Sequence, residues 1–391
     1  MSEVSVRPVA SRSDLWRFIK FQWVPYEGNP YWVPPLLMDR RKLMDRKNNP
    51  FYHHAEAEFF LAERDGRPVG RIGAIINRNH NVEHKENIGF FGFFETVDDR
   101  DVSRALLDRA CAWLRERGVE AVRGPASPSV NDEWGLLVEG FDRSPTIMMP
   151  YNPPYYADHL EAYGFRKIRD LFAYEVREES FLSDRLKRVS QIVTQRLGVV
   201  IRTLNLKDFD NEVARIRELY IRGWESNWGE VPMTEEEFAY AASDLKSIVD
   251  PDLVILAEIK GKPVGFGLTL PDLNEVLIKN RKGRLLPGLV RLLLQKKKIK
   301  GVRIMILGVL PEYRNTGLGG VLFAETGIRG TGKGYGIGEA SWILEDNVMM
   351  IRGAELMNGE ITKRYRCYQM PLEGARRDAA AEETADAGDE G

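Results

Sequence analysis

Cysteine and histidine are scarce in this 391-residue chain, and their scarcity excludes several kinds of site. Cys111 and Cys367 lie far apart without CxxC spacing, which argues against a structural zinc site and indicates a reducing compartment. All five histidines lie in the first half of the chain, at His53, His54, His80, His84 and His159. A Ser/His or Cys/His catalyst confined to the second half is therefore excluded.

Long apolar runs and a strong excess of one charge are also missing. No uninterrupted apolar run is long enough to span a bilayer, and residues 1–16 lack the apolar core of a signal peptide. The formal net charge of −2 provides no global basic field for nucleic acid. These absences predict a cytoplasmic globular protein without a nucleic-acid partner, and the length predicts two or three domains.

Residues 303–323 carry the most informative pattern in the chain. An apolar, β-branched run predicts a buried strand, Pro311 begins a polar turn, and a glycine cluster opens an apolar-periodic helix. Arg314-x-x-Gly317-x-Gly319 stands where that helix should begin. Glycines there let a ligand approach backbone N–H groups, and the helix N-terminus adds positive potential, so the pattern predicts a phosphate site.

Two other phosphate-binding motifs do not match this sequence. A dinucleotide fingerprint requires a third glycine where Leu322 stands, and a P-loop requires a Gly-Lys-Ser/Thr ending that the sequence after Gly319 does not supply. A second glycine-rich segment, residues 327–334, has P-loop spacing but ends in Gly334 instead of a hydroxyl residue. It also precedes its predicted strand, so we interpret it as a helix-to-strand turn.

The remaining pattern resembles the acyl-CoA loop of the GNAT superfamily of N-acyltransferases. In that family Arg/Gln-x-x-Gly-x-Gly/Ala follows a bulged strand, and the loop amides bind the CoA pyrophosphate. The resemblance implies acetyl-CoA or a longer acyl-CoA as co-substrate and no metal. It implies that the cofactor-binding residues are Val309, Leu310, Arg314, Asn315, Thr316, Gly317, Leu318, Gly319 and Asn347. Asn347 is similar to the family asparagine that contacts the pantetheine arm, although it could equally be only a helix cap.

The order of predicted elements repeats along the chain. We predict an α/β (mixed α+β) protein of two tandem GNAT-like domains, each a mixed, mostly antiparallel sheet flanked by helices. The predicted segments are an N-terminal degenerate domain, a connecting helix, a C-terminal domain with the CoA loop, and a disordered acidic tail, at 1–178, 179–198, 199–373 and 374–391. In the first domain the turn at 98–101 contains three acids and no glycine, so we expect it to repel a pyrophosphate.

The catalytic candidates follow from the chemistry of acyl transfer to an amine, in which the amine must lose a proton and the thiolate is best protonated. Glu339 is the candidate base because its strand is expected to diverge from the strand that precedes Pro311 and so to face the thioester. The other interpretation of Glu339 is a surface carboxylate on an edge strand. The family commonly has a tyrosine acid in the helix after Asn347, but residues 350–357 contain no tyrosine. Tyr365 or Tyr313 could replace that acid, or no acid could be needed. Tyr220, Trp224 and Trp228 are candidates for the acceptor pocket, and core packing is the other interpretation.

An insert at residues 271–301 distinguishes the second domain from simpler members of the family, which lack it. It is rich in leucine, and residues 279–300 contain nine basic residues and no acid. This composition is typical of a helix on an anionic membrane surface or of a phosphate-rich partner site. The other interpretation is a solvated helix that covers the domain with its leucines.

The sequence as a whole predicts an N-acyltransferase that moves an acyl group from acyl-CoA to a primary amine. The tandem order and the insert give a weaker resemblance to bacterial ceramide-synthase-type members, which implies a long acyl chain, a sphingoid-type lipid amine and peripheral association with the inner face of the membrane. Acetylation of a soluble small amine or peptide is one alternative. A non-catalytic module that senses acyl-CoA or acts as a scaffold is the other.

Overall fold

The computed structural model describes residues 2–181, 183–224 and 227–372. These residues form two compact units. Unit 1 contains the described residues of Met1–Phe141, Pro150–Arg169 and Arg366–Gly391, and unit 2 contains those of Asp142–Met149 and Asp170–Tyr365. The predicted acidic tail, 374–391, lies outside the described residues.

Unit 1 is a sheet flanked by helices. Its strands include β1 (Ser5–Pro8), β2 (Ala55–Arg64), β3 (Arg67–Asn77), β4 (Ile88–Thr96), β5 (Ala121–Gly124) and β6 (Leu136–Glu139). Its helices include α1 (Arg12–Phe21), α2 (Leu37–Leu43), α3 (Arg78–His84), α4 (Arg100–Arg115) and α5 (Tyr155–Tyr163). Strands β1 to β5 pair in chain order, and every pair is antiparallel except the parallel pair β4–β5. The apolar face of α4 packs Leu106, Ala110 and Leu114 against the sheet, as helical spacing predicts.

Unit 2 repeats this arrangement with its own strands and helices. Its strands are β7 (Arg166–Arg177, of which 170–177 belong to the unit), β8 (Val199–Thr203), β9 (Val254–Ile259), β10 (Lys262–Pro271), β11 (Gly301–Val309), β12 (Ile337–Leu344) and the first half of β13 (Glu360–Pro371). Its helices are α6 (Glu178–Phe181), α7 (Asp184–Leu197), α8 (Phe209–Trp224), α9 (Glu235–Leu245), α10 (Asn274–Leu277), α11 (Leu285–Gln295), α12 (Leu318–Gly332) and α13 (Val348–Leu356).

The sheet of unit 2 has the order β8-β9-β10-β11-β12-β7, and its pairs are antiparallel except for β11–β12. Alternate residues of each strand face two apolar clusters. Ile255 packs with Leu318 and Leu322 of α12 in one cluster, while Leu256 packs with Leu219 of α8 in the other. The predicted fold class, a mixed and mostly antiparallel sheet flanked by helices, is thus confirmed.

The compact units are not the contiguous segments 1–178 and 199–373 that the sequence suggests. Residues 368–371 of β13 pair with β5, so the end of the described chain belongs to unit 1. Residues 171–177 of β7 pair with β12, so that strand belongs mainly to unit 2. Residues 142–149, which precede β7, also belong to unit 2. Strand pairing between residues distant in the chain therefore decides the units.

Candidate active site

Strands β11 and β12 separate part of the way along unit 2. Their parallel register joins Gly301–Ile304 to Ile337–Ala340 and ends there. On the other side of β11, Thr269 is opposite Ile304 and Leu268 is opposite Ile306, which leaves Met305 as an extra, bulged residue. Beyond the bulge, the edge of β11 that faces away from β10 carries backbone groups outside the β11–β12 ladder, and a ligand amide can pair with such groups.

The glycine loop follows at the end of β11. Gly317 has φ +87°, a conformation that favours glycine, and a Cβ added there would lie 2.9 Å from Cγ2 of Val193. A Cβ added at Gly319 would meet no heavy atom within 4 Å. Because Gly319 lies in the first turn of α12, its amide has no acceptor in the preceding turn of that helix. Open space beside the Cα of Gly319 lets a ligand phosphate come close to this stretch of backbone.

Side chains around the loop hold its shape. Arg314 Nη2 donates to the carbonyl oxygen of Gly223 at 2.9 Å, so its guanidinium is committed to the end of α8. Arg196 Nη2 of α7 donates to the carbonyl oxygen of Thr316 at 2.6 Å. Leu310 and Leu318 are buried in the core. What the loop can offer a ligand is therefore mainly backbone, with Asn315 as an exposed side chain.

Two further cofactor candidates have structural contacts of their own. Val309 packs beside the cluster that contains α12. The side-chain oxygen of Asn347 accepts a hydrogen bond from Met350 N at 3.2 Å and caps α13. The structure thus gives Asn347 the helix-cap role that the sequence allowed, and contact with a pantetheine arm stays a prediction.

Glu339 is buried immediately before the point where β11 and β12 separate. Lys363 Nζ lies 2.5 Å from Oε2, and the hydroxyl groups of Thr146 and Ser341 donate to Oε1 at 2.6 and 3.0 Å. Burial would raise the pKa of Glu339, but the charges of Lys363 and Arg303 and the hydrogen bonds from Lys363 and Thr146 outweigh it, so the pKa lies below its usual value. We expected an accessible base, and the geometry instead shows an ionised carboxylate whose oxygens are already engaged.

Arg303 and Lys363 complete this buried polar cluster, and sequence reasoning missed both. Arg303 donates to the carbonyl oxygen of Ile147 at 3.0 Å and to the side-chain and backbone oxygens of Ser341. Burial lowers the pKa of Arg303 to about 10, so it remains charged at neutral pH. A charged residue at the start of an apolar strand was the available signal for Arg303.

Asp272 lies at the end of β10, close to the same cluster. Its Oδ1 accepts from Ile147 N at 2.9 Å and from Asn274 N at 3.1 Å. Burial raises the pKa of Asp272 to about 7, with smaller contributions from Glu339 and Glu275. Thr146 and Ile147 are thus held by hydrogen bonds to the buried side chains of Glu339, Asp272 and Arg303.

Tyr365 is completely buried on β13, next to Trp342 of β12. The two rings are perpendicular, with centroids 6.4 Å apart. The hydroxyl group of Tyr365 makes no hydrogen bond within the described part of the chain. Burial and the charge of Glu339 raise its pKa well above the usual value, so the hydroxyl stays protonated. The hydroxyl group is therefore a protonated donor without an acceptor among the described residues, and a role as acid stays a prediction.

The aromatic residues that were candidates for the acceptor pocket differ in their surroundings. Tyr220 is buried in the core around α8, and its hydroxyl group donates to Glu230. Burial raises the pKa of Glu230 to about 7. Tyr220 is therefore a core residue, as the other interpretation had it. Trp228 is partly exposed, and the side chain of Trp224 lies outside the described residues.

Unit 1 has the same separation of parallel strands, but its own chain occupies the gap. The pair β4–β5 ends at Phe90 and Arg123. Beyond it, Ala126 N donates to the carbonyl oxygen of Phe91 at 2.9 Å, and a Cβ added at Gly92 would lie 1.7 Å from Ala126 O. At the start of α4, the Asp99 side chain accepts from the amides of Asp101 and Val102. The amides that would hold a phosphate are thus capped by a carboxylate.

Helix α11 in the insert exposes its leucines. Leu286, Leu293 and Leu294 are 74%, 84% and 75% exposed, and Leu289 and Val290 are 45% and 53% exposed. These five side chains therefore do not cover the domain, whereas Leu292 of the same helix packs against the core around α8. Among the described residues, no helix is long and apolar enough to cross a membrane. The same residues contain no cluster of three or more His, Cys, Asp and Glu side chains that could hold a metal.

Comparison with known proteins agrees with this geometry. No family model matches the chain. Protein YghO of Escherichia coli K12 is 37% identical over 382 residues, which cover 94% of this chain and 95% of the relative. A bacterial ceramide synthase of Caulobacter vibrioides is 37% identical over 380 residues, which cover 95% of this chain and 98% of the relative. A solved tandem GNAT protein from the clavulanic acid biosynthesis pathway superposes with a TM-score of 0.56 at 14% identity, covering 95% of this chain and 99% of that one.

The chain therefore belongs to the protein family that includes YghO and the bacterial ceramide synthase, and it has the tandem GNAT fold that its glycine loop indicated. Both relatives resemble it along almost the whole chain. The tandem GNAT fold predicted from the repeated order of elements is confirmed by the solved structure.

Proposed function

We propose that this protein binds acyl-CoA at the glycine loop of unit 2 and transfers its acyl group to a primary amine. The observation that carries the proposal is the open first turn of α12, at Gly319, beside strands that separate after a bulge. Phosphate would bind the loop amides, and the thioester would lie along the free edge of β11. Unit 1 supports this assignment by contrast, because its gap is filled and its helix start is capped by Asp99.

The reaction joins the amine nitrogen to the thioester carbonyl carbon and breaks the carbon–sulfur bond. The amine loses a proton, and the CoA thiolate gains one. Tyr365 is the proposed proton donor because its buried hydroxyl group is protonated and donates to no acceptor among the described residues; water returns a proton to Tyr365 after each transfer. Water is the proposed acceptor of the amine proton, since the oxygens of Glu339 are engaged by Lys363, Thr146 and Ser341. Glu339 then fixes the buried cluster instead of acting as the base.

We propose a lipid amine of the sphingoid type as acceptor and a long acyl chain as donor group. The relative named bacterial ceramide synthase supports this choice, and so does the exposed leucine face of α11 beside a basic segment. Acetylation of a soluble small amine or peptide is the alternative that the same CoA site would serve.

The lipid acceptor implies a cytoplasmic protein that associates with the inner, anionic face of the membrane through residues 279–300. Each basic residue near such a surface contributes about 1 kcal/mol, and the attraction is screened by salt. Replacing Lys296, Lys297, Lys298 and Lys300 by glutamine should weaken binding to anionic vesicles and leave CoA affinity intact. Absence of vesicle binding by the wild type at low salt would remove the physical support for a lipid acceptor.

The CoA site is tested by calorimetric titration with CoA of the wild type and Gly319→Asp. An aspartate in the first turn of a helix is compatible with folding, yet it would repel the pyrophosphate. We expect one CoA site in the wild type and none in the variant, at unchanged thermal stability. Gly332→Asp, at the other end of α12, is the matched control and should retain CoA affinity. Equal CoA affinity in all three proteins would contradict the assignment.

A non-catalytic acyl-CoA sensor is favoured by one observation, the engagement of the Glu339 carboxylate in an ion pair. Thiol titration during incubation with acyl-CoA and amines separates the two functions, because a sensor binds acyl-CoA without releasing CoA. Testing several acyl chain lengths against lipid and soluble amines in the same assay identifies the acceptor class.

A further inference from the structure

Helix α11 turns apolar side chains toward solvent, the reverse of an ordinary surface helix. At about 100° per residue, Leu286, Leu289, Val290 and Leu293 lie within one arc of about 100°. All four are exposed, and Leu294 extends the same surface. This apolar face is larger than the isolated exposed leucines that are normal on a soluble domain.

The opposite side of α11 fixes the helix to unit 2. Gly288 is buried, Leu292 packs against the core cluster around α8, and Ile299 is buried just after the helix. Before the helix, the side chain of Asn280 donates to the carbonyl oxygen of Arg284 at 2.8 Å. Because these contacts hold the inner side, rotation of the leucines into the core would break them. The outward orientation of the apolar face is thus built into the fold.

The charges around α11 decide which partner fits this face. Exposed basic residues precede and follow the helix in the chain, at Lys279, Arg281, Lys282, Arg284, Lys296, Lys297 and Lys298. A second copy of the chain would bring two such basic sets together, which like-charge repulsion opposes. An anionic bilayer offers both an apolar interior and negative headgroups. The helix has 11 residues and a length of about 16 Å, so it can lie in the interface but cannot span the bilayer.

We infer that α11 inserts its apolar face into the acyl-chain boundary of an anionic bilayer, with the helix axis parallel to the membrane. The inference rests on the peripheral membrane association proposed above and specifies its mode. Attraction by basic residues alone would leave the leucines in water and would be lost in high salt. Insertion adds an apolar contribution that salt does not screen.

Site-specific labelling can measure insertion directly. Both native cysteines are buried, so a cysteine introduced by Leu293→Cys can be labelled selectively with an environment-sensitive fluorophore. With vesicles of equal parts phosphatidylcholine and phosphatidylglycerol, we expect a blue shift that lipid-chain nitroxides quench. Once the protein is bound, the shift should persist when NaCl is raised. The control Ile192→Cys, at a 55% exposed apolar position on α7, should show neither effect.

A second pair of variants tests the energetics in the full-length chain. The double variant Leu293→Ser/Leu294→Ser should bind the same vesicles at least tenfold more weakly at high salt, because two exposed leucines no longer enter the acyl region. Val82→Ser, at a 78% exposed position on α3, should bind as the wild type does. Folding should be intact in both variants, since the replaced side chains are exposed.

Three results would overturn the inference. They are absence of vesicle binding by the wild type, vesicle binding without a blue shift at position 293, and self-association that the double serine variant abolishes in place of vesicle binding. Calorimetric titration with CoA in the absence of lipid is independent of all three. A protein that binds CoA but does not insert retains the proposed CoA site and loses only this inference.

Discussion

The buried ion pair between Glu339 and Lys363 gives the sharpest test of the active-site reasoning. Both side chains are only 4–5% exposed, and their charged atoms lie 2.5 Å apart. Lys363→Met removes one partner and leaves the carboxylate buried. Breaking such a pair destabilises a protein by about 3–5 kcal/mol, since one charge remains uncompensated.

For a unit of this size, that change corresponds to a fall in melting temperature of roughly 6–20 °C. Without Lys363, burial would raise the pKa of Glu339 above its value in solution. The native variant would then hold a proton that its unfolded chain releases as pH rises, so its stability should improve as pH falls toward 5. The double variant Glu339→Gln/Lys363→Met removes both charges, and its amide oxygen can still accept from Thr146. We expect it to recover most of the lost stability.

Thermal unfolding of the two variants and the wild type across pH measures the coupling, and CoA release measures activity. If Glu339 holds the cluster and does not abstract the proton, the double variant should retain turnover within about tenfold at a temperature where it is folded. A loss of about 10²–10⁴-fold with intact CoA binding would restore Glu339 as the base. A single Lys363→Met variant as stable as the wild type would refute the ion-pair reasoning itself.

Two further predictions concern a buried carboxyl group and a buried hydroxyl group. Glu95 in unit 1 has its pKa raised to about 7, first by burial, so the native state keeps a proton that the unfolded state releases above pH 4.5. The free energy of unfolding therefore falls as pH rises from about 4.5 to 7. In chemical denaturation, the stability of Glu95→Gln relative to the wild type should rise by up to about 3 kcal/mol between pH 5 and 8. A stability difference that does not change with pH would contradict this prediction. Tyr365→Phe should leave thermal stability unchanged or higher, because the hydroxyl is unsatisfied among the described residues, while kcat falls at unchanged CoA affinity. Equal kcat in the two proteins would exclude Tyr365 as the acid.

Local sequence pattern determined the strand–loop–helix unit and the repeated order of elements. Apolar alternation, the glycine cluster after Pro311 and the acidic turn at 98–101 are short-range signals, and each is read from neighbouring residues. The predicted strand at 337–344 and the helix after Asn347 match β12 and α13 for the same reason. Strand β13, with alternating basic and apolar residues, was not anticipated.

Tertiary structure alone decided the state of the candidate catalytic groups. Glu339 reads as a surface carboxylate in the sequence, and its partners come from 193 residues earlier and 24 residues later in the chain. The hydroxyl group of Tyr365 is enclosed beside Trp342 only because the first half of β13 lies in unit 2. Neither the pKa nor the accessibility of such a group is encoded locally, since both depend on which distant charges and side chains surround it.

The sequence by itself determined where a phosphate-binding loop could form and that the first copy lacked one, because the identity of a few adjacent residues fixes the available backbone amides and local charge. Only the tertiary structure decided that Ala126 fills the gap in unit 1, that Gly319 faces open space, and that the leucines of α11 point outward. The composition of α11 was compatible with either a buried or an exposed apolar face. Its orientation was settled by Gly288, Leu292 and Ile299, which pack the other side of the insert against unit 2.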